Sequence, residues 1–183
     1  MRTDLDKQSN GPTARPDFGI VVECHYRPLY QFALSLSGSP EDAWDLTQHT
    51  FYTWSIKGEQ LRDASKAKSW LFTTLYRAFL QDRRSEARFP HYELSQVACE
   101  LPAISAPSES RLDSEKVLEA LGTIDEAFRA PVALFYLDDC PYKQIASILN
   151  VPLGTVKSRI ARGIAQLQKL LARDDDYGNR IAA

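Results

Sequence analysis

The sequence has few of the features that mark a membrane or an oxidising compartment. Its longest apolar run, Pro131 to Leu137, is far shorter than the roughly 18–20 residues that a membrane-spanning helix requires. The N-terminus has no apolar core of the kind that signal peptides contain. We therefore expect no membrane insertion and a cytoplasmic location.

Cysteine is also scarce. Cys24, Cys99 and Cys140 are an odd number, widely spaced, and form no C-x-x-C pair. This pattern predicts neither a disulfide framework nor a metal site, but three reduced thiols that pack as small hydrophobic side chains.

Residue patterns typical of enzymes are missing. The three histidines, His25, His49 and His91, are scattered, and no nucleophile elbow, phosphate-binding glycine loop or metal-spaced triad occurs. Cys24 and His25 are neighbours in sequence and would point apart on a helix. The sequence therefore predicts no enzyme activity, no catalytic residue and no cofactor.

An overall excess of positive charge is absent too. The formal net charge is −2, which argues against an unspecialised nucleic-acid coat protein. The charge is unevenly distributed, however, because Leu153 to Arg173 contains five Lys or Arg residues and no acid. A local basic surface of this kind is compatible with DNA binding.

Helical periodicity occurs in two blocks, and strand signals are weak throughout. Residues 17–88 and 111–173 form the blocks, and the proline-containing segment 89–110, without a sustained period, predicts a flexible linker. Residues 1–16 predict a disordered tail, and 174–183 form a second tail. The predicted fold is all-α, with two small helical domains joined by the linker.

Several residues predict where helices begin and end. Ser39 should cap a helix that ends near Gly58 in the left-handed conformation. In the second block, Gly122 should end one helix and Asp125 should cap the next. Pro131 lies inside that helix and is expected to bend it.

The segment Pro141 to Leu171 predicts a helix-turn-helix. A short helix is followed by a break at Asn150-Val151-Pro152 and by a longer helix from about Gly154. At about 100° per residue, an apolar stripe on the longer helix must pack on the domain core. It comprises Val156, Ile160, Ile164, Leu167 and Leu171. The other side is polar and basic, which suits base edges and phosphates in the major groove. Its candidate DNA-binding residues are Thr155, Lys157, Ser158, Arg159, Arg162 and Lys169.

This segment, YKQIASILNVPLGTVKSRIARG, resembles the sigma-four domain of the extracytoplasmic-function sigma factors, in which G-T-V-K-S-R is typical. In that family the second helix reads the minus-thirty-five promoter element. The resemblance implies that role for Thr155, Lys157, Ser158, Arg159 and Arg162. Taken alone, the segment also fits other response-regulator-like DNA-binding domains.

The segment SPEDAWDLTQHTFYTW resembles the polymerase-binding helix of the sigma-two domain, with its pattern P-E-D-A-E-D-L-V-Q-E-T-F followed by W. Periodicity independently predicts a buried apolar side and an exposed polar side. The candidate polymerase-binding residues are Glu41, Asp42, Asp45, Gln48 and Tyr52. Trp44 stands where the family usually has a second acid. Either the polymerase contact is changed, or another element or an inhibitory partner covers Trp44.

The segment AKSWLFTTLYRAFLQDRRS resembles the family's W-L-Y-R-I-A-R-N…D…R-R segment, which contacts the minus-ten element. Cations and aromatic rings on one helix face suit single-stranded DNA. The candidate residues are Lys66, Trp70, Thr73, Tyr76, Arg77 and Arg84. Arg77 replaces the usual Asn, and Trp70 is equally compatible with a role as a core anchor. The loop Lys57 to Lys66 lies where the family traps a flipped base.

The two motifs in this order imply an extracytoplasmic-function member of the sigma-70 family, with sigma-two-like and sigma-four-like domains. Such a protein binds core RNA polymerase and directs promoter recognition and transcription initiation. Its implied partners are core RNA polymerase, promoter DNA and an anti-sigma factor or other regulator. The alternative is a helix-turn-helix transcriptional regulator that does not join polymerase, which leaves the Ser39 to Trp54 motif unexplained.

Overall fold

The structure of the chain is a computed structural model that describes residues 17–61, 63–88 and 117–181, with side chains as far as Ser85 and Lys169 in the last two parts. The predicted tail 1–16 and linker 89–110 lie outside the described residues, as does Cys99. All secondary structure in the described parts is helical, which confirms the all-α prediction. The helices are α1 (Phe18–Ser37), α2 (Pro40–Lys57), α3 (Ala67–Arg88), α4 (117–123), α5 (Glu126–Tyr136), α6 (Tyr142–Leu149) and α7 (Leu153–Ile181).

Helices α1, α2 and α3 pack together as the N-terminal domain. Gly38, at a φ of 71°, ends α1 in the left-handed conformation, and the Ser39 hydroxyl accepts a hydrogen bond from the Asp42 amide to cap α2, as predicted. The tight turn folds α2 back along α1, and α3 lies against both. Their apolar faces meet in a core that contains Phe32, Trp54, Leu71, Phe72 and Leu75.

Gly58 follows α2 as predicted but has a φ of −59°, so the expected left-handed conformation is wrong. The residue begins a short 3-10 turn, Gly58–Gln60, and a second turn spans Ala64–Lys66. A Cβ atom on Gly58 would lie 2.9 Å from ring atoms of the buried Trp54. Glycine is therefore required here because the backbone crosses close to the indole.

Helices α4 to α7 form the C-terminal domain, in which α7 packs on both α5 and α6. Its buried side chains include Leu121, Ile124, Leu134, Ile145 and Ile160. Asn150, at a φ of 52°, turns the chain between α6 and α7, which gives the predicted helix-turn-helix. Among the described helices, none is long and apolar enough to cross a membrane.

Two helix ends in this domain differ from the sequence prediction, and one predicted capping residue is in place without its side-chain cap bond. Helix α4 continues through residue 123, past Gly122. Asp125 precedes α5 but does not cap it, because its carboxylate accepts a 2.8 Å hydrogen bond from the Gln166 amide of α7. Helix α7 continues to Ile181, past Arg173 and through most of the predicted tail 174–183; no proline follows its start to stop it.

The cysteines are only partly as predicted. Cys140 is free and buried, and its burial raises the pKa of the thiol to about 11. Cys24 is free but exposed on α1, so the expectation that it packs as a small hydrophobic side chain is wrong.

The two domains are docked on each other, which the sequence did not predict. Helix α3 packs on α6, and α1 packs on α5. Among the residues that the structure describes, polar contacts across the interface include two hydrogen bonds and an ion pair. The Lys68 ammonium donates to the Asp138 carbonyl oxygen at 2.6 Å, the Gln144 amide donates to the Ser69 hydroxyl at 2.8 Å, and Arg83 pairs with Glu126 at 3.0 Å.

Candidate polymerase and DNA interfaces

Helix α2 has one buried side and one exposed side. Its buried residues are Ala43, Leu46, Thr47, Thr50, Phe51 and Trp54, which face α1 and α3. The five candidate polymerase-binding residues, Glu41, Asp42, Asp45, Gln48 and Tyr52, are all exposed. We call these five the α2 face. The helical period and the cap at Ser39 position the α2 face, and its role remains a prediction.

The α2 face combines negative charge with exposed apolar area. Three of its members are carboxylates, and Tyr52 is 66% exposed. One turn further along, Ile56 is 56% exposed and extends the apolar part. Sequence reasoning missed Ile56, although its i+4 spacing from Tyr52 was a usable signal. Exposed aromatic and aliphatic side chains beside polar groups are typical of protein–protein interfaces.

A groove of about 420 Å³ adjoins the α2 face. Asp42, Asp45 and His49 line it from α2, and Asp82 and Arg83 line it from α3. The groove thus gives the acidic face a concave part. Trp44, which replaces a family acid, is half-buried, so part of its indole is covered by the chain itself.

The candidate minus-ten residues are not equally accessible. Lys66, Arg77 and Arg84 are exposed, whereas Trp70, Thr73 and Tyr76 are half-buried. The Trp70 ring meets the Trp54 ring edge-on, with 5.2 Å between their centroids, so Trp70 anchors α3 to the core while part of it stays open. The Thr73 hydroxyl donates to the Ser69 carbonyl of the preceding turn.

Tyr76 lies at the edge of the domain interface. Burial raises the pKa of its hydroxyl, and the nearest charges that affect it are Arg159 on α7 and Glu126 on α5. Docking therefore brings Tyr76, a candidate for the minus-ten element, within electrostatic range of Arg159, a candidate for the upstream element. The sequence had no signal for this proximity.

The loop before α3 is a polar turn. The Asp63 carboxylate accepts hydrogen bonds from the amide and the hydroxyl of Ser65, and these bonds lower the pKa of Asp63. Lys66 forms an exposed ion pair with Asp63 at 3.6 Å. The role of the loop from Lys57 to Lys66 as a pocket for a flipped base remains a prediction.

Helix α7 is positioned by its apolar stripe. Val156 and Ile160 are buried, and Ile164 and Leu167 pack partly buried against the core. The Leu171 side chain lies outside the described residues. On the other side, Lys157, Ser158, Arg162 and Lys169 are exposed, and Thr155 and Arg159 are half-buried. The structure therefore presents the basic, polar face that the period predicted.

A glycine brings α7 unusually close to α5. A Cβ atom at Gly163 would lie 2.6 Å from Val132 Cγ2 and 3.1 Å from Phe128 Cβ. The absence of a side chain at this position therefore sets the distance between the two helices.

The comparisons with known proteins agree with both halves of the structure. Residues 21–89 match the family model for Sigma-70 region 2, and residues 114–167 match that for Sigma-70 region 4. The first match covers the α1–α3 domain and the second covers the helix-turn-helix domain. Two independently matched regions in this order define a protein of the sigma-70 class.

Curated relatives specify the class further. The chain is 33% identical to the ECF RNA polymerase sigma factor SigE of Mycolicibacterium smegmatis over 165 residues, 87% of this chain and 63% of that protein. It is 31% identical to SigL of Mycobacterium tuberculosis over 150 residues, 80% of this chain and 84% of that protein. The chain belongs to the extracytoplasmic-function (ECF) RNA polymerase sigma factors.

Solved structures resemble the whole fold. The sigma factor RpoE of Bartonella quintana, in complex with the anti-sigma factor NepR, matches with a TM-score of 0.67 at 27% identity, covering 85% of this chain and 97% of that chain. CnrH, in complex with the cytosolic domain of CnrY, matches with a TM-score of 0.59 at 25% identity, covering 86% and 88%. The matches support the sigma-factor interpretation over a regulator that does not join polymerase.

Proposed function

We propose that this chain binds core RNA polymerase through the α2 face and directs it to promoters through two DNA-binding surfaces. The α3 surface, with Lys66, Trp70, Thr73, Tyr76, Arg77 and Arg84, binds the minus-ten element. The α7 surface, with Thr155, Lys157, Ser158, Arg159, Arg162 and Lys169, binds the minus-thirty-five element. The chain acts by binding in the cytoplasm and performs no catalysis itself.

The observation that carries the polymerase assignment is the contrast between the two sides of α2. One side fills the core of the N-terminal domain, and the other presents three carboxylates and Tyr52 with no covering element in the described residues. The acidic groove beside Asp42 and Asp45 suits a basic side chain from a partner, because opposite charges steer and orient association.

The DNA assignments rest on exposed cations. Arg77 and Arg84 project from α3 where backbone phosphates of a single strand could lie. Lys157 and Arg162 project from α7, the second helix of the helix-turn-helix, which in such motifs lies in the major groove. The likeness to RpoE, which was solved in complex with the anti-sigma factor NepR, supports an anti-sigma factor as a further partner.

The decisive experiment combines co-purification with core polymerase and run-off transcription. Substituting Asp45→Arg and Gln48→Arg together should abolish both, because two cations then replace an acid and an amide at the centre of the α2 face. Circular dichroism must show that the double variant remains helical. Full binding by the folded double variant would refute the assignment of this face.

A matched control variant distinguishes an effect of the α2 face from an effect of the altered net charge. Glu23→Arg together with Glu119→Gln alters the net charge by the same amount, and both residues are exposed and lie outside α2 and both candidate DNA-binding surfaces. This control should bind polymerase and support transcription like the original chain. Equal loss in the control would mean that general charge, and not the α2 face, governs binding.

A further inference from the structure

The loop between α5 and α6 carries a carboxyl group into the domain interface. Asp138 is only 5% exposed, and neither of its carboxyl oxygens has a hydrogen-bond partner in the part of the chain that the structure describes. The nearby Lys68 ammonium of α3 donates its 2.6 Å hydrogen bond to the Asp138 backbone carbonyl, not to the carboxyl group. If this carboxyl group were ionised, its charge would be buried with no hydrogen bond to either oxygen, which costs free energy.

The groups that face Asp138 come from every element around it. Lys68 on α3 favours the charged carboxylate, whereas Asp139 on the same loop disfavours it. The Cys140 thiol, also buried, is affected by Lys68, Asp139 and Asp138 itself, and Lys143 on α6 is exposed. His25 on α1 lies near enough to Lys68 to be affected by it.

The balance among these groups favours the neutral acid. Burial raises the pKa of Asp138 to about 7 in spite of Lys68. Burial and Lys68 together lower the pKa of His25 below its usual 6.5. At neutral pH the histidine is therefore mostly uncharged and offers no second cation to stabilise a carboxylate.

We propose that Asp138 is a proton-operated latch: the two domains dock with this carboxyl group protonated, and its ionisation favours their separation. Undocking removes α3 and Lys68 from the α5–α6 loop and returns the carboxyl group to water. The docked state then binds one more proton than the undocked state over the range between the two pKa values.

The sign and size of the linkage follow from those values. The carboxyl pKa is 3.8 in water and about 7 when docked. The docking constant therefore falls as pH rises from about 4 to 7 and levels off above 7, where both states are ionised. Between pH 6 and pH 8 the docking constant should fall about tenfold.

The consequence for DNA binding rests on the proposed function, but the proton linkage does not. Docking brings Tyr76 within electrostatic range of Arg159, so one candidate from each DNA-binding surface lies in the same part of the molecule. The elements named minus-ten and minus-thirty-five lie about 25 base pairs apart, or about 85 Å along B-form DNA. A docked chain cannot place these two residues on both elements, so the latch would withhold the chain from promoters until the domains separate.

Small-angle X-ray scattering of the full chain at pH 6 and pH 8, without polymerase or DNA, tests the latch. The ratio of compact to extended chains should be about tenfold higher at pH 6. Asp138→Asn mimics the neutral acid and should stay compact at both values. Asp139→Asn is the matched control: Asp139 is exposed at a φ of 49°, which asparagine tolerates, and the substitution removes a charge that raises the pKa of Asp138. This variant should keep the pH dependence of the original chain, with its midpoint shifted to lower pH.

A ratio that is unchanged with pH in the original chain, or a pH dependence retained in Asp138→Asn, would overturn the proposal. Should Asp138→Asn fail to fold, a carbon-13 NMR titration of the Asp138 carboxyl group in the original chain decides. A titration midpoint of the Asp138 carboxyl group near pH 7 in the compact chain supports the latch. A titration midpoint near pH 4 overturns it. None of these readouts depends on polymerase binding, so the latch and the proposed function can fail separately.

Discussion

Replacing Gly163 by alanine tests whether close packing of α7 on α5 holds the helix-turn-helix domain together. The new Cβ atom would lie 2.6 Å from Val132 Cγ2, closer than non-bonded carbons approach. Val132 is buried and β-branched, so its side chain cannot rotate away freely. The second contact, at 3.1 Å, is with Phe128 Cβ, which moves only with the α5 backbone. The helices must therefore separate.

The expected magnitude is a difference between two effects. Overpacking of this kind costs about 1–3 kcal/mol. Alanine also favours the helix over glycine by up to about 1 kcal/mol, which offsets part of that cost. We expect Gly163→Ala to lower the free energy of unfolding by about 1–2 kcal/mol.

Gly154→Ala is the matched control, because it lies in the same helix and a Cβ atom there meets nothing within 4 Å. It should leave stability unchanged or raise it by up to about 1 kcal/mol. Urea unfolding of the full chain, followed by circular dichroism, measures both variants. If Gly163→Ala proved as stable as Gly154→Ala, the close approach of α7 to α5 would not be a constraint, and the reasoning would be wrong.

Two further predictions concern the other domain and the DNA surface. Gly58→Ala should lower the free energy of unfolding by about 1–3 kcal/mol, because its Cβ atom would lie 2.9 Å from the Trp54 ring. Tryptophan fluorescence during urea unfolding measures this, and equal midpoints for Gly58→Ala and the open-space control Gly122→Ala would contradict it. Arg162→Ala should weaken binding by about 1–3 kcal/mol and relax preference at one base position. Binding to matched promoter variants at two salt concentrations measures this, and an equal loss on every sequence would make Arg162 a phosphate contact.

The helices and their outward faces could be predicted because they depend on local sequence. Ser39 caps α2 through its own side chain, and Asn150 adopts the left-handed turn that asparagine tolerates. The period of about 3.6 residues likewise separates the buried Val156 from the exposed Arg162. These features need only near neighbours in the chain, so a single sequence contains the information.

The roles of Gly58 and Asp125 were predicted less well, because each residue type has more than one structural use. A glycine, for example, either allows a left-handed turn or makes room for a close contact. Gly58 had the sequence context of a left-handed helix end, yet its backbone is right-handed and its smallness accommodates Trp54. Asp125 stands where a capping residue was expected, but its carboxylate accepts a hydrogen bond from Gln166, which is distant in sequence, and not from an amide of α5. In both cases a tertiary neighbour decided between two locally plausible uses of the residue.

The sequence by itself determined the family, the two helical blocks and the residues that face outward. Only the tertiary structure revealed that the two blocks dock, that Tyr76 then lies within electrostatic range of Arg159, and that Asp138 is buried next to Lys68. Lys68 and Asp138 are 70 positions apart, and no periodicity relates residues across such a distance. Burial of an acid depends on which surfaces meet, and that is a property of the packed chain rather than of any local pattern.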